Sequence, residues 1–216
     1  MPSLQATLKK VHDHFSIWSN DLGHLTGNER KISYCRERIP EFLLNRSLII
    51  DILDGISSGA TDGDRSHRML FDNEWLIHMD SHRRFSVRMY LHAPGDYTVV
   101  HDHSSWGVLG NPSGIMDIIK FDRRDDGRAE GYARLEQTKR IRCQPGQTDF
   151  TLPLDKGIHQ VGNPTNQTIV IINVYGTPLR RLFINHFDLE KNRVTKAYPP
   201  RLTKRMLATD ALKALI

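Results

Sequence analysis

Apolar residues recur with two different periods along this chain, and the change of period separates a helical part from a β part. In the first third the spacing is three or four residues, which places the apolar side chains on one face of a helix. The first such face is formed by five residues: Leu4, Leu8, Val11, Phe15 and Trp18. A second helix is predicted over 28–39, where Pro40 ends it, and a third is predicted over 41–56.

From about residue 70 the apolar residues alternate with polar ones, which indicates strands. The clearest case is FSVRMYLH, in which Phe85, Val87, Met89 and Leu91 share one face. Further short strands, separated by turn signals, are predicted over these segments: 97–103, 115–121, 131–136, 138–143, 147–152, 158–162, 168–175, 181–187 and 193–198. Many short, closely spaced strands predict an antiparallel sandwich or jelly roll rather than a βαβ fold.

The stretch SSGATDGD (57–64) is rich in Ser, Gly and Asp and is therefore interpreted as a loop. Because it separates the helical pattern from the β pattern, it is the best candidate for a boundary. We predict three parts: a helical extension (1–65) that packs on a barrel, the barrel itself (66–198), and a C-terminal helical tail (199–216). The tail contains a short helix over 201–216.

Composition narrows the class of protein. Of 216 residues, 38% are hydrophobic and 25% are charged, as in an ordinary globular domain, and no apolar stretch is long enough to cross a bilayer. The first ten residues lack an apolar signal core, so we expect a cytoplasmic protein with no membrane partner. The net charge of +5 comes from basic pairs scattered among acids, which favours a solvated surface over a nucleic-acid site. Only two cysteines are present, so a metal site would draw mainly on His, Asp and Glu.

Three of the eleven histidines have a spacing that predicts a metal site. His101 and His103 are two apart on a predicted strand, and side chains two apart on a strand point to the same face. His159 opens another predicted strand after a Pro/Gly turn. Neutral imidazoles bind iron, zinc, nickel or copper, and three on one face leave open positions for a substrate or dioxygen. We therefore predict one divalent metal ion on these three residues, and we interpret the remaining histidines as ordinary surface or core residues.

The residues around these histidines resemble the two sequence motifs of the cupin superfamily. The matching positions are Gly95, His101, His103, Gly107 and Gly114 for the first motif, and Pro153, Gly157, His159 and Asn163 for the second. The resemblance implies a mainly β fold, the cupin double-stranded β-helix or jelly-roll barrel. In this chain the barrel would carry an N-terminal helical extension and a short C-terminal helix.

Within the cupins, the chain resembles the thiol dioxygenases, meaning cysteine dioxygenase and the bacterial 3-mercaptopropionate dioxygenases. Where many cupins have a glutamate as fourth ligand, this chain has Gly107. The segments FSVRMYLHAPGDYTVVHDH, HDHSSWGVLG, IINVYGTPLRR and INHFDLEKNRVTKAY are similar to that family, over about residues 70–198. The resemblance implies that Tyr175 is the active-site tyrosine, which stabilises metal-bound oxygen or the substrate.

The chain also departs from the thiol dioxygenase pattern. Asn173 stands where the family has a histidine that orients the tyrosine, and Ile171 replaces the serine behind it. No cysteine follows HDH, so the family's Cys–Tyr crosslink cannot form in the usual way, and the family's carboxylate-binding arginine is missing from its usual place. Arg88 is a candidate substitute, because it shares a strand face with Tyr90 and an arginine binds a carboxylate through two hydrogen bonds. The alternative is that this face is solvated and Arg88 is a surface residue.

We therefore predict a mononuclear cupin dioxygenase that adds dioxygen to a small thiol or organic acid. The predicted metal is Fe(II), although zinc, nickel or manganese would also suit three histidines. The predicted site residues besides the metal ligands are Tyr175, Arg88, Tyr90 and Asn173. Two alternatives stay open: a cupin enzyme with another metal and non-thiol chemistry, and a non-catalytic cupin that binds a small ligand. A monomer or a homodimer is expected.

Overall fold

The computed structural model describes residues 4–58, 73–177 and 183–215. Four helices lie in these ranges: α1 (Leu4–His24), α2 (Asn28–Leu44), α3 (Arg46–Ser57) and α4 (Pro200–Leu215). The predicted end of the second helix at Pro40 is wrong, because Pro40 lies inside α2. The helix continues past it because Ile39, Phe42 and Leu43 are all fully buried, and this packing outweighs the backbone hydrogen bond that proline cannot donate. The predicted loop at 57–64 lies mostly outside the described residues.

The described residues also contain a short 3-10 helix (Leu154–Gly157) and eleven strands: β1 (Glu74–Met79), β2 (Phe85–His92), β3 (Val100–His101), β4 (Gly107–Gly110), β5 (Met116–Arg123), β6 (Leu135–Cys143), β7 (Thr148–Thr151), β8 (His159–Gly162), β9 (Ile169–Gly176), β10 (Ile184–Asp188) and β11 (Arg193–Ala197). One sheet has the order β1-β2-β9-β4-β7 and the other has the order β11-β10-β3-β8-β5-β6. All pairings within the two sheets are antiparallel, and most neighbours are not consecutive in the chain. This arrangement confirms the predicted mainly β jelly roll with N-terminal helices and a C-terminal helix.

Several strands differ from the predicted ones. Strand β1 was not predicted, because four of its six residues are buried, on both faces, and the sequence does not alternate. Strand β4 was also not predicted, because it is a four-residue segment with glycine at both ends. The segment predicted over 138–143 and the last two residues of the segment predicted over 131–136 form the single strand β6, whereas 131–134 form no strand. Strand β3 is much shorter than predicted, so His103 follows its end.

The first sheet separates two cores, and this separation positions the functional site. On its outer face, Phe85, Val87 and Met89 pack in one cluster with the apolar faces of α1, α2 and α3. On its inner face, Tyr90 and Ile171 pack with residues of the second sheet. The alternation along β2 therefore directs its apolar side chains to the helices and its polar side chains into the barrel.

Among the described residues, no helix combines the length and the apolar character that crossing a membrane requires.

Candidate metal centre

The three predicted metal ligands come together inside the barrel. His101 on β3 and His159 on β8 are direct cross-strand partners, which places their side chains side by side on one face. His103, just beyond the end of β3, completes the group. The ligand atoms of the three side chains all lie within 4.8 Å of one another.

The spacing and the hydrogen bonds of these imidazoles fit a metal ion. The Nε2 atoms of His103 and His159 are 3.1 Å apart. Two nitrogens bound at right angles to one ion, each at ~2.1 Å, would be separated by about 3 Å. Nδ1 of His101 lies 2.8 Å from the carbonyl oxygen of Val99, to which it donates, so Nε2 of His101 is left as the ligand atom.

The protonation states also suit metal binding. Burial lowers the pKa of His101 to about 4, and burial together with the fields of His101 and His103 lowers the pKa of His159 well below its ordinary value. At neutral pH these two rings are therefore uncharged, which is the form that binds metal. Three histidines in the described part of the chain can thus hold a metal ion, with no carboxylate in the group.

Gly107 explains why no acidic ligand completes the set. It lies on β4 directly across from Tyr175 on β9. A Cβ atom added at Gly107 would lie 3.1 Å from the Tyr175 ring and 3.1 Å from a methyl group of Thr151. Any side chain at this position would therefore require the Tyr175 ring and the Thr151 methyl group to shift by a few tenths of an ångström.

Tyr175 lies beside the three histidines, and its hydroxyl is held by two side chains on the inner face of the first sheet. Its ring centroid is 5.2 Å from that of His103. Its hydroxyl accepts a hydrogen bond of 2.7 Å from Nδ2 of Asn173 and shares another with the hydroxyl of Tyr90. Burial raises the pKa of both tyrosines, so both phenols keep their protons at neutral pH.

Two pockets meet at this tyrosine pair. The first, of about 310 Å³, is lined by the three histidines and also by Tyr90, Asn173 and Tyr175. The second, of about 280 Å³, is lined by Ser86, Arg88 and Arg83, and it shares Tyr90, His103 and Tyr175 with the first. The structure thus brings Tyr175, Tyr90 and Asn173 to the metal pocket, while Arg88 borders the second pocket.

Arg88 is neither solvated nor unpaired. Its side chain is 14% exposed and forms an ion pair with Glu74, whose own side chain is fully buried. Its Nε also lies 3.4 Å from the hydroxyl of Ser86. The ion pair of Arg88 with Glu74 is electrically neutral overall. Nothing in the sequence pattern pointed to Glu74, because β1 itself was not predicted.

Two histidines that the sequence analysis treated as ordinary also line the metal pocket. His92 stands two positions after Tyr90 on the same face of β2, and its side chain is buried. His186 on β10 is the direct partner of His101. The alternation along β2 already placed His92 on the face of Arg88 and Tyr90, and that signal could have identified it.

Asn163, the last residue of the second motif, has a structural role beside the pocket. Its Nδ2 donates to the carbonyl oxygens of His92, Ala93 and Gln167, at 3.0, 3.0 and 2.7 Å. Its Oδ1 accepts from both the backbone N–H and the hydroxyl of Thr165, at 2.9 and 2.6 Å. The side chain, which is fully buried, therefore fixes the turn that follows β2.

We expect Asn163→Ala to lower the free energy of unfolding by about 3 kcal/mol, because it leaves several buried groups without a hydrogen bond. Urea unfolding measures this loss, and Asn166→Ala at an exposed position of the same loop is the control. A loss below about 1 kcal/mol would contradict the structural role.

The chain matches no protein-family model. It is similar to solved structures of cupin domain proteins. A cupin barrel domain protein from Salinispora arenicola is 18% identical with a TM-score of 0.37, over 54% of this chain and 86% of that one. A cupin domain protein from Halorhodospira halophila is 14% identical with a TM-score of 0.39, over 56% of this chain and 72% of that one. The cupin domain of an XRE family transcriptional regulator from Enterobacter cloacae is 14% identical with a TM-score of 0.34, over 49% of this chain and 96% of that one. These identities and TM-scores are low, and the jelly-roll assignment rests instead on the two antiparallel sheets.

Proposed function

We propose that this protein is a mononuclear cupin dioxygenase, with Fe(II) held by His101, His103 and His159, that adds dioxygen to a small thiol or organic acid. The observation that carries the proposal is the convergence of three imidazoles on a pocket that is also lined by the partly buried Tyr175. Bound iron(II) would offer positions to the substrate and to dioxygen and would pass electrons between them. With a thiol the product is a sulfinic acid, because both oxygen atoms are transferred and no further reductant is required.

The chain's own contribution to this reaction centres on the hydroxyl of Tyr175. In the proposed arrangement Asn173 and Tyr90 both donate to the Tyr175 oxygen, so the Tyr175 proton is left for a hydrogen bond to the reacting group. Asn173 takes over the orienting role for which the thiol dioxygenases use a histidine. A donor fixed in a buried site stabilises developing charge more strongly than water does.

The role of Arg88 is a separate part of the proposal. The sequence suggests an anchor for a substrate carboxylate, but the guanidinium already has the buried carboxylate of Glu74 as a partner. A neutral ion pair attracts a second carboxylate weakly. We therefore propose that Arg88 is a positioning residue, which keeps Tyr90 and Tyr175 in place from the second pocket.

This role predicts how Arg88→Lys affects different substrates. We expect kcat to fall by about tenfold with 3-mercaptopropionate and equally with cysteamine, which lacks a carboxylate, because the tyrosines lose their support in both cases. Steady-state oxygen uptake measures the two values, and the double variant Glu74→Gln/Arg88→Gln removes both charges as a control for burial. A rise in KM confined to 3-mercaptopropionate would instead identify Arg88 as the carboxylate anchor.

Two other functions have particular observations in their favour. A cupin enzyme with zinc, nickel or manganese and non-thiol chemistry is favoured by Ile171, which is 1% exposed and ends the hydrogen-bond chain that the thiol dioxygenases continue with a serine. A non-catalytic ligand-binding cupin is favoured by the Arg88–Glu74 pair, because the carboxylate of Glu74 occupies the guanidinium that could otherwise anchor an acidic substrate.

Metal analysis of the purified protein, followed by oxygen uptake of the Fe(II)-loaded form, separates the three functions. Cysteine, 3-mercaptopropionate and cysteamine form the first substrate panel. Near one iron per chain with thiol-dependent uptake supports the dioxygenase. Another metal, or iron without uptake across thiols and small acids, overturns it in favour of the alternatives.

A further inference from the structure

Asp102 lies between two of the metal ligands in the chain, and the proposed reaction gives its side chain no role. It follows His101 and precedes His103, and it is fully buried. The register of β3 and β10 pairs His101 with His186, so Asn185 is the next partner in line and faces Asp102. Strand β3 nevertheless ends at His101. The burial of Asp102 requires hydrogen-bond partners for its carboxylate.

These partners show that the Asp102 carboxylate takes the place of a main-chain carbonyl in the ladder between β3 and β10. One bond of the pair is regular, because the Asp102 N–H donates to the Asn185 carbonyl at 3.2 Å. In a regular ladder the Asn185 N–H would donate to the main-chain carbonyl of Asp102 in return. It donates instead to Oδ1 of Asp102 at 2.7 Å, and Nδ2 of Asn185 donates to Oδ2 at 3.0 Å. The side chain thus closes the ladder, and the backbone beyond Asp102 can turn away from β10.

The turned backbone brings His103 to the other two ligands. Its carbonyl oxygen accepts a hydrogen bond of 2.8 Å from the N–H of Leu154, in the loop between β7 and β8. On a continuing strand, His103 would lie about 6.6 Å further along than His101. The ring centroids of these two histidines are 4.7 Å apart, and Nε2 of His103 lies 3.1 Å from Nε2 of His159. The turn therefore brings all three imidazoles within reach of one ion.

We propose that Asp102 is a positioning residue of the metal centre, whose carboxylate replaces a carbonyl of the β3–β10 ladder and so lets the chain turn His103 towards the ion. Asp102 lines neither the metal pocket nor the second pocket, so it acts through His103 and not on the substrate. The inference rests on the proposed metal site, because the position of His103 affects metal binding only if His103 is a ligand.

The affinity for Co(II), measured by competition with a chromophoric chelator, tests the proposal. Asp102→Ala removes both acceptors and should weaken Co(II) binding by about 10–100-fold, as loss of a partner outside the coordination sphere does. Asp102→Asn keeps an oxygen for the Asn185 N–H, and the Asn185 amide can turn to accept from the new Nδ2. Its affinity should therefore stay within about threefold of the wild-type value. An equal loss in both variants would mean that the charge of the carboxylate matters and not its place in the ladder, and would overturn the proposal.

A double-mutant cycle identifies the ligand through which Asp102 acts. Titration at higher Co(II) concentrations compares His103→Ala with the double variant Asp102→Ala/His103→Ala. If Asp102 positions His103, its removal should cause no further loss once that ligand is gone. An additive loss would mean that Asp102 acts on the other ligands or on the fold, and would overturn the proposal.

The matched control is Asn111→Ala. Asn111 is also fully buried, and its Nδ2 holds the turn after β4 through bonds of 3.0 Å to the carbonyl oxygens of Ser113 and Gly114. Its truncation should lower stability and leave the Co(II) affinity unchanged. A comparable loss of affinity in Asn111→Ala would make the effect of Asp102→Ala one of stability alone and would overturn the proposal.

A second variant covers the case in which circular dichroism shows that Asp102→Ala is unfolded. Asn185→Ala removes only the bond from Nδ2, at a partly buried position. Its Co(II) affinity should fall by about fivefold, the effect of one hydrogen bond, and this loss should disappear when His103→Ala is also present. Unchanged affinity in Asn185→Ala, or a loss that persists without His103, would overturn the proposal.

Metal uptake by the wild-type chain separates this proposal from the metal site itself. One cobalt per chain together with wild-type affinity in Asp102→Ala overturns the positioning role alone. Failure of the wild-type chain to take up cobalt, iron or zinc overturns both proposals together.

Discussion

His159→Ala should bind no divalent metal at a concentration that saturates the wild-type protein. The substitution removes one of three imidazoles whose ligand atoms lie within 4.8 Å, and among the described residues no carboxylate is present in the group to replace it. Loss of a partner outside the coordination sphere already costs a metal site ~10–100-fold in affinity, and loss of a ligand costs more. Elemental analysis after dialysis against Fe(II) or Zn(II) measures the effect, with about one ion per chain expected for the wild type.

The matched control for this experiment is His24→Ala, which removes an exposed histidine at the end of α1. Because His159 is buried in a strand, its truncation also costs stability, so circular dichroism must show that the variant is folded. His103→Ala offers a second route, because His103 is only partly buried and lies beyond the end of β3. Stoichiometric metal in either folded variant would contradict the three-histidine site.

The group of three histidines could be predicted from the sequence because all three lie in the two motifs. Strand periodicity alone does not bring His103 beside His101, since β3 ends at His101. The structure adds the reason for their convergence, which is the direct pairing of His101 with His159. Antiparallel partners of this kind are set by the sheet register, and a single sequence does not reveal which strands become neighbours.

The partners of the catalytic candidates could not be predicted for the same reason. Alternation placed Arg88 on the face of Tyr90 but left open whether that face is solvated, and the ion pair with Glu74 depends on the pairing of β2 with β1, which lacks an alternating pattern. Pro40 shows a different limit of prediction from sequence. Proline disfavours a helix locally, but the burial of residues on both sides of Pro40 outweighs that preference, and only the tertiary structure reveals this burial.

Tyr175→Phe should leave the metal content unchanged and lower kcat by about a hundredfold, since removal of one fixed donor in a buried site typically costs ~10²–10³ in rate. The hydroxyl is the only part lost, and the ring keeps its contact with Gly107, so the pocket keeps its shape. The variant also leaves Asn173 and Tyr90 without their common partner, which should lower the free energy of unfolding by ~1–3 kcal/mol.

Two comparisons make the Tyr175 result specific. Tyr132→Phe changes a tyrosine that is 41% exposed and should affect neither rate nor stability. Asn173→Ala keeps the Tyr175 hydroxyl but removes the 2.7 Å bond that orients it, so its kcat should lie between those of wild type and Tyr175→Phe. A merely structural tyrosine would instead lower stability in both variants with kcat per folded, metal-loaded chain unchanged. Since both substitutions leave the three histidines intact, a graded fall in kcat at constant metal content points to the group that orients or donates the proton.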